Sequence, residues 1–574
     1  MKHAWWIPAV VVVLFALVVR LWMLDWKPPH FDEGVNGAFV DAMRSDPAYR
    51  YNPENFHGPL HFYAMFASEQ IFGRGVWALR LPTAIVGAAT VALLFAFRRF
   101  FSAWVVWVAA IACAISPAMT FYSRYAIHEA WLPFFSMLAI YGAFGIARSE
   151  RRTGDLWAVG AGLAGMVLTK ETYVLHFVAA FFAWLFMRTS GDEQTGAQSA
   201  FSRAEIVRVA AVCGAVLIAF YSGLFYYWPG VVGIFKTFGA MAAKGWSPSE
   251  EGHHKELLYF VKLLWRYEWP ALAGLAVVPV LALRRSVIVG AFSIGLGVIL
   301  AIAGWLFTAA LPPSERPIQA VEPVLQTAGI PWNTAFSAGV CFVFVGVCAV
   351  FASPVKCRLM RFLALYALAS VSAYSLVSYK TPWCVIGFLP PLFLVLGHCF
   401  ERLVRYSHWS VVALLGFALA AAPVMDSWRI NFVNPTSPRE PYIYVQQLPD
   451  LMKLTGPVER LIEREPLMRK MTGLIIYESP QPLPWALPDL PNVAVVSHRS
   501  QFDITDADFL LVHESRVNEV ESVLLDIYYR SRFRFFSVDE EHRLYFRASV
   551  FAPVKDTGRT PEFHRRVRLE ELEP

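Results

Sequence analysis

Two carboxylates stand side by side in the run Lys27-Pro28-Pro29-His30-Phe31-Asp32-Glu33-Gly34-Val35-Asn36-Gly37. They follow an apolar stretch, Trp5 to Leu24, of about bilayer length. A carboxylate there lies within reach of a lipid-borne substrate and can take a proton from a hydroxyl or bind a divalent cation. The plainer reading is that Asp32 caps a helix running through Val35, Phe39 and Met43, with Glu33 complementing its dipole. The two readings are compatible, since a cap can also position a base.

Four further sites carry unusual polar groups. In Asn55-Phe56-His57-Gly58-Pro59-Leu60-His61, His57 precedes a Gly-Pro turn and Pro59 suits the first position of a helix. His57 and His61 are four apart, but the Gly-Pro break argues against a shared helical face for a metal. His57 then reads as a donor to an anionic group, or as a turn residue. Tyr122-Ser123-Arg124 with His128-Glu129 marks the edge of another apolar run, where an interfacial Arg–Glu pair is the bland account. His128-Glu129 is no zincin motif, because no second His follows four positions after the first. Thr169-Lys170-Glu171-Thr172-Tyr173 leaves almost no loop between two apolar runs, so its charges must snorkel or face a cavity. Tyr379-Lys380-Thr381-Pro382-Trp383 sets another lone cation between spans, where a Lys/Trp interfacial anchor is the alternative. Together, acids (Asp32, Glu33, Glu129, Glu171) and cations (His57, Arg124, Lys170, Lys380) gather on one side of the membrane. That mixture suits an anionic phosphate leaving group with a base or a divalent cation.

The elements that must position them are membrane helices. Of 574 residues 56% are hydrophobic and only 16% charged, with mean hydropathy +0.45, whereas a soluble chain carries about 25% charge. A net charge of +6 is small for this length and gives no reason to expect nucleic acid as a partner. The seven cysteines form no CxxC or zinc spacing. The first apolar stretch lacks a small-residue cleavage site before Asp25 and reads as an uncleaved span. Candidate spans lie near 5–24, 81–97, 101–120, 131–147, 155–169, 172–187, 207–226, 269–283, 287–310, 332–352, 359–378, 383–399 and 409–425, about thirteen in all. Alternate short loops are basic (Arg98-Arg99, Arg148/Arg151/Arg152, Arg284-Arg285, Arg402/Arg405), which puts them and the N-terminus in the cytoplasm. Loop 25–80 and the remaining polar corners then lie outside, in an inner (plasma) membrane.

Residues 1–426 thus form a membrane domain, and 427–574 an extracytoplasmic one. In the tail, β-rich runs Leu474–Tyr477, Val493–Val496 and Phe509–His513 alternate with helical patterns around Val458–Glu465 and Val517–Tyr529, and Arg534–Val538 with Arg543–Phe546 signals a hairpin. This is a small α/β domain. Asp506-Ala507-Asp508 runs straight into Phe509-Leu510-Leu511-Val512 and reads as a turn before a strand, not a metal motif. His253-His254 reads as a solvated loop. No phosphate-binding glycine loop of the nucleotide-binding kind is present.

The Asp32-Glu33 pair after the first span, His57-Gly58-Pro59, Leu79-Arg80-Leu81-Pro82, Tyr122-Ser123-Arg124 with Glu129, and Lys380-Thr381-Pro382-Trp383 resemble the GT-C glycosyltransferases. The resemblance covers the whole chain, including Leu483-Pro484-Trp485-Ala486-Leu487-Pro488 of the tail. It is nearest the branch of protein O-mannosyltransferases and lipid A aminoarabinose transferases, and within it the "flippase activity-associated protein" family. It implies a GT-C fold and inverting transfer of a sugar from a polyprenyl-phosphate donor to a lipid, glycan or protein acceptor. Asp32 is then the base, with Glu33 beside it, and Glu129 the second-loop acid. His57, Arg124, Lys170 and Lys380 hold the donor phosphate. His57 stands where aminoarabinose transferases carry a phosphate-binding Lys. A divalent cation, Mg²⁺ or Mn²⁺, bridging Asp32 or Glu129 to phosphate is the one cofactor implied; some members need one and others do not. The alternative is a flippase partner or transporter that moves lipid-linked sugars without chemistry, although a transporter should offer groups to both sides.

Overall fold

A computed structural model of the chain describes residues 6–46, 48–55, 57–148, 152–189, 201–246, 255, 258–282, 291–292, 294–299, 302–303, 357–377, 379–478, 481–500, 506–536, 541–551 and 566–567. Among the described residues, six helical stretches are long and apolar enough to cross a membrane: Val76–Arg99, His128–Ile146, Arg203–Tyr221, Arg358–Leu376, Pro382–Tyr406 and Trp409–Val433. Shorter apolar helices are α1 (Trp6–Leu21), the stretch Ala103–Ile115 and Tyr173–Leu185. The chain is a multi-pass membrane protein. The expected spans 287–310 and 332–352 fall largely or wholly outside the described residues, as does His253-His254.

The first external loop folds as two amphipathic helices, α2 (Phe31–Ser45) and α3 (Leu60–Phe72), which lead into the membrane helix α4 (Val76–Ala96). The run expected as one span over 101–120 is broken: α5 (Ala103–Ile115) ends at Ser116, and α6 (Pro117–Tyr122) starts anew. Pro117 has no N–H to continue the ladder, and the Ser116 hydroxyl accepts the Met119 N–H at 3.1 Å to start the next turn. The break swings Tyr122, Arg124 and Tyr125 toward the α1–α2 loop. Next come α7 (Leu132–Ile146) and α8 (Thr153–Thr169), the latter separated from α9 (Tyr173–Thr189) by only the Lys170–Thr172 corner.

After the last long helix the chain crosses back through 434–450 and then builds a six-stranded sheet in the order β2-β1-β3-β5-β4-β6. Strands β1 (Gly473–Ile476), β2 (Val493–Val496) and β3 (Phe509–Val512) are parallel, with Ile476 opposite both Val496 and Val512. Strands β4 (Tyr528–Phe533), β5 (His542–Arg547) and β6 (Arg566–Val567) run antiparallel. Every residue of β1 and β3 is buried, as expected of central strands covered on both faces. One face packs on the helix Leu451–Arg464 through Leu454, Val458, Leu461, Ile475 and Leu511; the other packs around Val520, Leu510 and Tyr545. The helix expected to run to Tyr529 stops at Val523, and Tyr528-Tyr529 instead pair with Arg547 and Phe546. The first hairpin strand therefore lies just upstream of the Arg534–Val538 run expected for it. Asp508 behaves as a turn residue: its Oδ2 accepts the Thr472 N–H at 2.8 Å and its Oδ1 the Arg547 guanidinium at 2.9 Å.

The sheet seats on the membrane part through α2. The short helix Leu483–Ala486 lies against it, and a Cβ at Gly37 would run into the Trp485 indole. Arg74 closes the seat, donating to the Trp485 carbonyl at 2.5 Å and pairing with Asp41 at 2.9 Å.

Candidate active site

The cap of α2 falls to His30, not Asp32. His30 Nδ1 accepts the Asp32 N–H at 3.0 Å, and Glu33 Oε2 accepts the His30 N–H at 2.8 Å, which closes a capping box. Glu33 is wholly buried against Arg80, whose Nε and Nη2 reach its two oxygens at 2.7 and 2.6 Å. Arg80 also donates to the carbonyls of Leu24, Lys27 and Pro28 at 2.8–3.1 Å, and Glu33 Oε1 accepts the Ala126 N–H at 2.8 Å. Burial opposes ionisation of Glu33, but Arg80 outweighs it and holds the carboxyl down at about 2. Glu33 is thus a structural anion that ties the motif to α4 and to the turn after α6, and a catalytic role for it does not fit. Asp32, one residue earlier on the helix, remains 44% exposed, 3.8 Å from His30 Nδ1. It is the accessible carboxylate of the pair.

Arg124 departs from the phosphate-binding role expected of it. Nη1 donates to Val19, Arg20 and Trp22 and Nη2 to Met23, all carbonyls, at 2.6–3.1 Å. These are the open carbonyls at the C-terminus of α1, and a cation satisfies them well.

The Lys170 corner is a second charged centre. Lys170 Nζ lies 2.9 Å from Glu129, 3.0 Å from Glu171 and 3.3 Å from His57 Nδ1, and His57 Nδ1 lies 3.0 Å from Glu171. The His57 loop approaches this closely because Gly58 lies directly on the end of α8: its N–H donates to the Thr169 carbonyl at 3.1 Å, and a Cβ there would collide with Leu168. Burial disfavours the charge on Glu171, yet Lys170 and His57 hold it down at about 2; the two glutamates in turn raise Lys170. The Lys170 ammonium is held between the two glutamates, with His57 Nδ1 beyond them at 3.3 Å. It acts as counter-ion to Glu129 and Glu171, in place of the phosphate-binding role expected of it. Behind it, the rings of His57, His128 and His61 pack in series at 4.6 and 4.4 Å, and Trp131 Nε1 donates to His61 Nδ1 at 3.0 Å.

Lys380 lies elsewhere. Its ammonium donates to the Lys255 carbonyl at 2.9 Å, and the Lys255 ammonium stands 5.8 Å from the Tyr444 ring. Tyr444 and Trp383 pack at 5.9 Å, Trp383 and His30 at 5.7 Å, and His30 Nε2 meets the Tyr444 carbonyl at 2.6 Å. These rings, with Tyr122, Tyr125, Tyr442 and Ile127, line one narrow cleft. Asp32 meets one end of this aromatic wall at His30, 3.8 Å away, and Lys255, whose carbonyl takes the Lys380 ammonium, stands at the other end by Tyr444. Ile127 is followed in the chain by His128-Glu129. No ion pair joins Asp32 to Lys170 or Lys380 among the described residues. The far wall comes from segment 442–446: Tyr122 donates to the Tyr442 carbonyl at 2.9 Å, Tyr125 to Gln446 at 2.7 Å, and Gln446 to the Pro28 carbonyl at 3.0 Å. Between them Val445 adopts φ +50°, a left-handed conformation costly for a β-branched residue.

Sequence reasoning gave no role to Arg80, His30, Lys255, His128 or the 442–446 segment. The signal for Arg80 was present: an arginine one helical turn inside an apolar run needs a buried anion, and Glu33 was available. As to a divalent cation, no group of three or more His, Cys, Asp or Glu converges among the described residues. Lys170 already stands between Glu129 and Glu171. The residues do not fit such an ion, and no step below runs through one.

The architecture is the GT-C fold. The chain is similar in structure to ArnT from Cupriavidus metallidurans in the apo state, with TM-score 0.55 and 12% identity over 96% of this chain and 99% of that one. It is also similar to the same protein bound to undecaprenyl phosphate, with TM-score 0.52, 14% identity and the same coverage. By sequence, residues 56–222 match the family described as dolichyl-phosphate-mannose-protein mannosyltransferase. That stretch contains His57, Arg124, Glu129, Lys170 and Glu171. No curated protein matches the chain.

Proposed function

We propose that this protein is a GT-C glycosyltransferase that moves a sugar from a polyprenyl-phosphate donor to an acceptor hydroxyl at the extracytoplasmic face. One observation carries the reading: in an ArnT-like fold, a solvent-accessible carboxylate (Asp32) stands 3.8 Å from His30 at one end of an aromatic wall whose other end, Tyr444, lies 5.8 Å from the Lys255 ammonium. The match to the mannosyltransferase family and the undecaprenyl phosphate bound to ArnT support a lipid-phosphate donor. The sidedness rests on Arg98, Arg99 and Arg148, which gather at the opposite end of α4 from Arg80, beside Asp155.

In this mechanism Asp32 takes the proton from the acceptor hydroxyl, whose oxygen attacks the anomeric carbon from the face opposite the phosphate. The C–O bond to phosphate breaks, its electron pair leaves with the polyprenyl phosphate, and configuration inverts. Lys380 and Lys255 neutralise the phosphate as charge builds on it. Glu33–Arg80 and the His30 cap hold Asp32 in place. The charged cluster of Glu129, Lys170, Glu171 and His57, whose Glu129 comes shortly after Ile127 in the chain, orients the sugar.

The test is Asp32→Asn in the purified chain, given radiolabelled polyprenyl-phosphate sugar and envelope extract as acceptor. Loss of a positioned base costs roughly 10²–10⁴-fold in rate. Expression and unfolding should match wild type, because the side chain is half exposed. Turnover within a few fold of wild type would remove Asp32 as the base.

A further inference from the structure

The long helix α10 (Arg203–Tyr221) ends in a turn that the chemistry above does not use. Tyr221 donates to the Val167 carbonyl at 2.7 Å, which sets this end of α10 beside the Lys170 corner. Gly223, Leu224 and Phe225 then adopt φ of +57°, +56° and +75°, and only the first is a glycine. A left-handed backbone is costly at Leu and Phe. The turn is nonetheless fixed. The Leu224 N–H donates to the Ala219 carbonyl and the Tyr227 N–H to the Ser222 carbonyl, both at 2.7 Å, and the Ser222 hydroxyl accepts the Phe225 N–H at 3.0 Å. Its result is to fold α11 (Pro229–Trp246) back onto the end of α10. A Cβ at Gly230 would run into the Tyr221 carbonyl, and one at Gly233 into the Tyr51 ring. The Tyr51 hydroxyl donates to Thr237 Oγ1 at 2.5 Å, whose own proton goes to the Gly233 carbonyl at 3.1 Å.

One side of α11 thus packs on the loop that leads to His57, and the other side is apolar as well. Gly230, Gly233 and Thr237 are buried, while Val232, Phe235 and Lys236 are exposed, Phe235 by 73%. In the turn before them Leu224, Phe225, Tyr226 and Trp228 are exposed too, Tyr226 by 86%, with the rings of Phe225 and Trp228 6.1 Å apart. A helix bordered by water on its outer side shows polar residues there, and a contiguous apolar patch marks a contact. Two features name lipid as that contact. The patch runs on from the side of α10 where Val207, Val212, Val216 and Ile218 are exposed along a membrane-crossing helix. Its side chains are also those that collect at a membrane–water interface, with the Lys236 ammonium beside them at the level of the phosphates. Other helix ends carry the same ring type: exposed Trp22 and Trp26 follow α1, and exposed Trp428 ends the last long helix.

We infer that α11 and the turn before it form a membrane-surface helix, lying in the leaflet on the side of the Lys170 corner with Phe225, Trp228 and Phe235 in lipid. Its inner face then holds Tyr51 and the loop to His57 against the bilayer edge. The inference goes beyond the transferase reading and stands whether or not the chain turns over a sugar. The test uses the full chain in nanodiscs of mixed phosphatidylcholine and phosphatidylglycerol. Tyr226→p-benzoylphenylalanine and Phe235→p-benzoylphenylalanine, irradiated and read by mass spectrometry, should give lipid adducts. The same residue in place of Leu525, 89% exposed on the sheet domain, should give none. Hydroxyl-radical footprinting of the wild-type chain needs no substitution. Tyr226 and Phe235 should be protected roughly tenfold relative to a short peptide of the same sequence, the low end of what burying one aromatic side chain favours, and Leu525 should not. The inference fails if the photo-residue at 235 joins two copies of the chain, if it gives no adduct, or if Tyr226 and Phe235 are oxidised as fast as in the peptide.

Discussion

Replacing Glu33 with Gln tests whether the two adjacent acids have separate roles. Four N–H groups converge on the Glu33 carboxylate: Arg80 Nε and the Ala126 amide on one oxygen, Arg80 Nη2 and the His30 amide on the other. Glutamine keeps one carbonyl oxygen, so its NH₂ must face two of those donors, and the fully buried Arg80 loses its counter-charge. Two charge-assisted bonds at about 1.5–3 kcal/mol each agree with the roughly 3–5 kcal/mol found on breaking one side of a buried ion pair. The loss should appear as a lowered unfolding midpoint in a denaturant titration of the detergent-solubilised chain, with Asp32→Asn close to wild type alongside it. A second substitution, Arg80→Gln, should recover part of the loss by removing the unpaired charge. Glu33→Gln unfolding within about 0.5 kcal/mol of wild type, the range of ordinary surface changes, would refute the assignment of Glu33 as the anchor.

Two further outcomes follow from the same geometry. Lys380→Met should raise the KM for the lipid-phosphate donor and lower kcat/KM by roughly 10²-fold, the effect of one stabilising contact to a developing charge, while acceptor KM stays unchanged in steady-state kinetics. His61 is pushed from its usual 6.5 down to about 3, first by burial, and its Nδ1 already accepts from Trp131. It stays neutral in the folded chain while the unfolded chain takes up a proton. Stability should therefore fall as pH drops below about 6.5, by up to about 1.4 kcal/mol per pH unit for this residue. The depressed Glu33 and Glu171 begin to contribute losses only below their unfolded value of 4.5. His61→Asn should remove about one proton's worth of slope between pH 6.5 and 4.5; an unchanged slope in unfolding curves would count against it.

Much of this was readable from residue order, because apolar length and charge at a span edge are local properties. Asp32, the Lys170-Glu171 corner and the Thr381-Pro382 turn all announce themselves that way, as do β1 to β3 through their β-branched and leucine-rich runs. What stayed hidden depends on pairings across the chain. Arg124 looked like a phosphate ligand because nothing in its neighbourhood shows that α1 ends with its carbonyls pointing there. Lys170 looked available because Glu129 is 41 positions away. Asp32 looked like the cap because Asp caps helices far more often than His does. Helix Val517–Val523 ended early because Tyr528 and Tyr529 gain more from pairing with β5 than from another helical turn.

The segment 442–446 supplies one wall of the cleft, yet the ribosome makes it only after the last long membrane helix. Until those residues arrive, Tyr122, Tyr125, His30 and Pro28 lack the partners that hold their positions. A chain that stopped at the last long helix would therefore leave the surface around Asp32 unfinished, so the aromatic wall is completed only by residues that follow the membrane helices.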